Sequence, residues 1–379
     1  SPVATQLFID GKWADSENGG VFPTFAPSTG EQIGEVAHGT RADAVRAIEA
    51  ARRAFDEGPW PRLSGAERAA VLRRVAELLA GRNDELAALE ARDSGGTIRR
   101  VMGFDMPSVL GTLQFFAGCA ESQPDEIEHG TNPMPPGQSS IRREPYGVCT
   151  GIIPWNFPLL LAMWKLAPAL AAGNTLVLKP ASATSLTAVE LMRVCEEAGV
   201  PPGAVNLVTG PGGSVGEELA SNPLVDKVAF TGSTEVGKRI MQLASPTLKK
   251  VTLELGGKSA NIVLPDADLD LAAGGVLFGT FLHSGQACES GTRALVHADI
   301  YDEFVALLVD RAGKLAIGDN MDPATDIGPL ISHGQAEKVQ RYIALGREEG
   351  ATLLCGGDHP ADLPEALDRA SFFQPTIFA

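Results

Sequence analysis

Between residues 147 and 257, short and almost wholly apolar runs alternate with longer stretches of helical spacing. No other feature constrains the fold as much. Residues 147–153 spell a strand and 159–172 a helix; 175–178 is a second strand and 185–198 a second helix, and 205–208 and 228–230 continue the series. A strand that is apolar on both faces needs cover on both faces. The alternation therefore predicts an α/β fold in which a parallel sheet lies between helices.

The flanking sequence has a different grammar. Residues 7–40 mix short apolar runs with Gly, Pro and Asn turn signals and predict small antiparallel strands. From 41 to about 100, apolar residues fall at helical spacing (Ala44, Ala47, Ile48, Ala51, Phe55, then Val71, Val75, Leu78, Leu79), enough for two or three helices. Residues 123–140 are rich in Pro, Gly, Asn and Ser, which fits an extended excursion followed by a strand at 140–143. After Gly256-Gly257 the strand–helix order restarts at 260–264, and a domain boundary is expected there. A chain of 379 residues also favours two domains over one core. The last stretch, 372–379, reads as a strand leading into further structure.

The formal charge of −16 and pI of 4.8 disfavour nucleic acid and anionic membranes as partners. The five cysteines, at 119, 149, 195, 288 and 355, are odd in number, scattered and never paired as C-x-x-C, so neither a disulfide framework nor a zinc knuckle is indicated. No signal peptide is visible at the start. The most apolar window, 159–172, is broken by Lys165 and Pro168 and is too short to span a bilayer. A reduced, cytoplasmic setting is the expectation.

Five segments could carry chemistry. Cys288 lies between Gly285 and Gly291 in a small-residue run. A lone cysteine is more often a small buried hydrophobe, but a thiolate suits attack on a carbonyl carbon. The adjacent Glu289 would raise the thiol pKa if it faced inward, so it is expected to point away. Glu254, flanked by leucines at the end of an apolar run, must be paired, neutral or functional; if partly desolvated it could take a proton from water. Asn156 sits in Pro-Trp-Asn-Phe-Pro between a strand and a helix, where it is either a turn residue or a donor to a developing oxyanion. The segment Phe230-Thr-Gly-Ser-Thr-Glu-Val-Gly237 leads into a helix whose free N–H groups could hold a pyrophosphate. Its G-x-x-x-x-G spacing is not the usual dinucleotide fingerprint. Lys179, at the end of a buried strand, could hold ribose hydroxyls or phosphate, or simply snorkel to the surface.

In this order, Pro-Trp-Asn-Phe-Pro, Phe-Thr-Gly-Ser, Glu-Leu-Gly-Gly and Gly-Gln-Ala-Cys resemble the aldehyde dehydrogenase superfamily. The likeness begins at Leu7-Phe-Ile-Asp-Gly-Lys-Trp13 and runs to the last residue. It implies a Rossmann-type cofactor domain (1–122 and 147–257), a bridging and oligomerisation hairpin (123–146) and an α/β catalytic domain (258–379). It also implies the oxidation of an aldehyde to an acid with NAD or NADP. Cys288 would attack to give a thiohemiacetal, Asn156 and the Cys288 N–H would hold its oxyanion, and Glu254 would activate water against the thioester. Lys165 would serve a proton relay. Trp155, Lys179, Ser182, Gly232, Ser233, Val236 and Leu255 match cofactor-binding positions, and Phe157, Leu161 and Trp164 match the substrate tunnel. The resemblance further implies a homodimer or homotetramer.

Two departures from the family pattern qualify this. Where many NAD-dependent members carry a glutamate three residues after the lysine, this chain has Ser182, which implies that NADP is accepted as well as NAD. Family members also continue beyond this length, with segments that complete the nicotinamide site, the tunnel and an oligomerisation strand. That leaves an impaired cofactor-binding or scaffold role as an alternative. A CoA-acylating semialdehyde dehydrogenase is disfavoured by Glu254, since that class generally lacks the glutamate. The apolar residue at 161 and the aromatic wall favour uncharged aliphatic or aromatic aldehydes.

Overall fold

The structure, a computed structural model, describes residues 3–123, 126–134 and 136–379. Its centre is a seven-stranded sheet built from β1 (Leu7–Ile9), β2 (Lys12–Ala14), β3 (Val148–Ile152), β4 (Thr175–Lys179), β5 (Val205–Leu207), β6 (Lys227–Gly232) and β7 (Lys250–Leu255). The spatial order is β7-β6-β3-β4-β5-β1-β2. The strands from β7 to β5 are parallel, while β1 and β2 add an antiparallel edge. The expected parallel sheet is thus present. Sequence periodicity gave no sign that the N-terminal hairpin would close one of its edges.

Cover on both faces follows from the apolar content of β3 and β4, every residue of which is buried. The helices are α1 (Arg41–Asp56), α2 (Gly65–Gly81), α3 (Asn83–Ser94), α4 (Met106–Ser122), α5 (Pro158–Ala171), α6 (Leu186–Glu197) and α7 (Thr234–Ala244). Leu72, Leu86, Leu113, Met163 and Leu191, from α2 to α6, fill one core. Ala47, Ile48, Val228, Phe230 and Ile240 fill the core that α1 and α7 form on the opposite face. Thr40 caps α1 reciprocally with Asp43, its side chain accepting from the Asp43 N–H while the Asp43 carboxylate accepts from the Thr40 N–H.

Glu126–Pro133 and Pro136–Arg142 form an antiparallel hairpin within the 123–146 stretch, where the turn-rich composition by itself suggested an excursion and one strand at 140–143 and the resemblance implied a hairpin. Residues 124, 125 and 135 of that stretch lie outside the described residues. Further on, Ala260–Val263 pairs in parallel with Arg293–Val296, and α8 (Leu269–Phe281) and α9 (Tyr301–Ala312) bury Val276, Leu277, Phe304 and Leu308 beside them. The closing strand, Ile377–Phe378, turns back to pair with Leu353–Cys355. No helix among the described residues is long and apolar enough to cross a membrane.

Candidate active site

The strand order reverses between β3 and β6, since β3 connects onward to β4 on one side while β6 connects to β7 on the other. In open parallel sheets, ligands bind in the crevice beyond the carboxyl ends of the strands at such a point. The loop after β3 carries Trp155, Asn156 and Phe157, and the turn after β6 carries Gly232 and Ser233. Lys179 closes β4, and Leu255 closes β7. The cofactor residues expected from sequence therefore line one rim of one sheet.

Several of them have definite local partners. The Ser233 side chain caps α7, accepting from the Val236 N–H at 3.3 Å, so the first turn of that helix faces the rim. Val236 itself is exposed. A Cβ on Gly232 would come within 2.5 Å of the buried Phe230 ring, so the turn requires glycine on steric grounds alone. Leu255 packs against Gly237 of α7. Ser182 is exposed and its hydroxyl donates to the Gly210 carbonyl at 3.3 Å. Lys179 is buried and does not snorkel. Among the described residues its Nζ donates only to the Pro180 carbonyl, at 3.0 Å, and burial brings the ammonium down to about 8. A buried cation whose one partner among the described residues is a neutral carbonyl suits ribose hydroxyls and phosphate.

The decisive contact joins this rim to the cysteine loop. Asn156 Nδ2 donates to the Gln286 carbonyl at 2.9 Å, two residues before Cys288. An amide nitrogen carries two hydrogens, so a second donor remains. The loop reaches that position through three successive left-handed residues, His283, Ser284 and Gly285 (φ 52°, 57° and 80°). Gln286 also fixes the loop with its own side chain, which accepts from the Ile331 N–H at 3.0 Å and donates to the His283 carbonyl at 3.0 Å. Below Asn156, the buried Glu90 holds the start of α5, accepting from the Leu159 N–H at 2.9 Å and the Thr187 hydroxyl at 2.5 Å. Neither Gln286 nor Glu90 was singled out from the sequence, because the Gln286–Asn156 and Glu90–Leu159 contacts span 130 and 69 residues.

The sequence profile described as "Aldehyde dehydrogenase family" matches residues 13–379. The chain belongs to the aldehyde dehydrogenase family. It is 48% identical to betaine aldehyde dehydrogenase of Bacillus subtilis, over all of this chain and 76% of that one. It is 46% identical to the mitochondrial aldehyde dehydrogenase of Homo sapiens, over 98% of this chain and 71% of that one. A solved betaine aldehyde dehydrogenase from Staphylococcus aureus, in complex with NAD+, superposes with a TM-score of 0.95 at 39% identity, covering 99% of this chain and 74% of that one. The fold and the enzyme class expected from the motifs, an NAD(P)-dependent aldehyde dehydrogenase, stand.

Within the family site, two expectations need correction. Glu289 does not point away: its Oε2 accepts a hydrogen bond from the Cys288 thiol at 3.1 Å. Burial, then this bond, pushes the thiol up to about 11. Glu254 is exposed and not desolvated. β7 is an edge strand, and Lys250, Thr252 and Glu254 form its exposed face. Of the tunnel residues, Phe157 and Leu161 are buried in the main core, and only Trp164, 48% exposed, faces outward. The Phe157 ring lies between the Arg100 guanidinium, 4.7 Å from its centroid, and the edge-on His283 ring at 5.6 Å. Lys165 is buried too. Burial lowers its ammonium, while the nearby Glu254 charge opposes that shift.

Proposed function

We propose that this chain oxidises an aldehyde to a carboxylic acid with NAD(P)+ by covalent catalysis at Cys288. The single observation that carries the reading is the Asn156–Gln286 bond, because it ties the cofactor rim to the cysteine loop. Cys288 Sγ attacks the aldehyde carbon, and the resulting oxyanion is held by the second Asn156 N–H and the Cys288 backbone N–H. When bound, the nicotinamide supplies the hydride acceptor. Lys179, Ser233 and the α7 N-terminus hold its ribose and phosphates, with Trp155, Gly232, Val236 and Leu255 around them. Exposed Glu254 reaches water readily and takes its proton as the thioester is hydrolysed, and Lys165, whose charge it feels, passes the proton on.

Ser182 brings no negative charge to the ribose, which supports use of NADP as well as NAD. The substrate is an uncharged aliphatic or aromatic aldehyde that meets Trp164, in a cytoplasmic homodimer or homotetramer. The chain divides into a cofactor-binding part (1–122 and 147–257), an oligomerisation hairpin (123–146) and a cysteine-bearing part (258–379). A burst of NAD(P)H on mixing with aldehyde, without CoA, is expected in the wild type and absent in Cys288→Ala. A burst that needs CoA, or one that survives the substitution, would overturn the reading. A panel of alkyl, aryl and betaine aldehydes separates uncharged from cationic substrates.

A further inference from the structure

Arg100, Asp105 and His283 are buried, ionisable and without a task in the reaction just described, and two of them meet at one ring. Phe157, one residue after Asn156, has the Arg100 guanidinium 4.7 Å from its ring centroid and the His283 ring at 5.6 Å, inclined at 63°. Arg100 is itself fixed. It pairs with Asp105 at 2.8 Å, and it lies so close over Gly96 that a Cβ there would strike the guanidinium. A buried ion pair adds little net stability, so its value here lies in what it holds in place.

His283 opens the cysteine loop in a left-handed conformation (φ 52°), which side chains keep only where their surroundings dictate it. Neither ring nitrogen forms a hydrogen bond among the described residues, so packing holds the ring. Burial, with the Arg100 charge, keeps the imidazole neutral. The His283 carbonyl accepts from the backbone N–H and the side chain of Gln286, at 3.1 and 3.0 Å. The Gln286 carbonyl in turn accepts from Asn156. One hydrogen bond between two loops fixes a distance and leaves rotation about it free. The Phe157–His283 contact is a second point of attachment between the same loops, and it removes that rotation.

We propose that Arg100 and His283 are positioning residues that clamp the Phe157 ring between them and so set the Asn156 amide relative to the Cys288 sulfur. Arg100 holds the Asn156 loop from one side, and His283 ties the cysteine loop to it from the other. Both act through Asn156. The assignment rests on the aldehyde-oxidising reading above and deepens it, since it names what keeps the oxyanion donor and the nucleophile in register.

His283→Gly separates the ring from the backbone, because glycine adopts a positive φ freely. In rapid mixing with saturating aldehyde and NAD(P)+, its burst rate is expected to fall by about 10²-fold, the cost of a misplacement of about 1 Å, with NAD(P) affinity unchanged. In an Asn156→Ala background the same substitution is expected to slow the burst little further, because the group it positions is already gone. The double substitution Arg100→Met with Asp105→Asn removes both charges of the buried pair at once and reads the other side of the clamp. It is expected to lower the burst in the same way, again with NAD(P) affinity unchanged. An unchanged burst in His283→Gly overturns the assignment for His283, and an unchanged burst in the Arg100 and Asp105 variant overturns it for Arg100. Equal falls with and without Asn156 overturn it for both, as does a joint loss of burst and NAD(P) affinity, which is what a merely structural role gives. If the wild type gives no burst with any aldehyde, the aldehyde-oxidising reading itself fails and this role fails with it.

Discussion

At the scale of single residues, the site is a set of polar groups whose environments differ sharply. Asn156 is buried with its Nδ2 on the Gln286 carbonyl, so one of its two N–H bonds is fixed and the other is aimed by the same contact. Asn156→Ala is expected to slow the hydride-transfer burst by about 10²–10³-fold, the range seen when an oxyanion donor is removed. Rapid-mixing kinetics at saturating aldehyde measure this. Lys179 gives a second, pH-dependent expectation. Burial brings its ammonium to about 8, so it is charged below that pH and neutral above it. Cofactor affinity is expected to weaken from pH 7 to 9, more for NADP than for NAD, and Lys179→Met is expected to flatten the profile. Fluorescence titration across that range checks both, and an unchanged slope in the variant would remove Lys179 from the phosphate or ribose site.

Elements matter through how closely they approach. The turn between β6 and α7 fits only because Gly232 has no Cβ to strike the Phe230 ring, which is itself locked in a core. Gly232→Ala is expected to lower stability by about 1–3 kcal/mol, as overpacking does, and to displace Ser233 from its capping position. Denaturant unfolding and NAD(P) titration of the same preparation would show both losses together. The cysteine loop is built on a comparable constraint. His283 and Ser284 hold left-handed conformations that side chains disfavour, and Gly285 completes the turn that brings Gln286 to Asn156.

For the whole molecule, stability carries a pH signature from carboxyls enclosed near the junction of α3, α5 and α6. Burial raises Glu90 and Asp93 to about 7 each, and Asp105 to about 6, against ordinary values of 4.5, 3.8 and 3.8. Each holds its proton to a higher pH folded than unfolded. Between roughly pH 4 and 7 the folded state therefore binds more protons, and the contribution of these groups to stability falls as pH rises. His283, held well below its ordinary value by burial, works in the opposite direction up to about pH 6.5. Glu90→Gln is expected to reduce the loss of stability between pH 5 and 7 relative to wild type. Thermal unfolding at pH 5, 6 and 7 tests this, and identical slopes would refute it.

The sequence by itself determined the parallel α/β sheet, because runs buried on both faces cannot avoid an apolar composition and helices between them cannot avoid their period. It also determined the family, since Asn156, Ser233, Glu254 and Cys288 stand in short segments whose local order is unmistakable. What only the tertiary structure decided are contacts between segments distant in the chain, or side-chain directions that no periodicity encodes. The N-terminal hairpin extends the central sheet through a pairing of Phe8 with Leu207. Gln286 and Glu90 steady the Asn156 loop from two other elements. Glu254 is open to solvent because it lies on the exposed face of an edge strand, although the leucines beside it suggested burial. Glu289 turns toward the sulfur although charge repulsion with a thiolate argued otherwise, because the sulfur it meets is a protonated thiol that can donate a hydrogen bond.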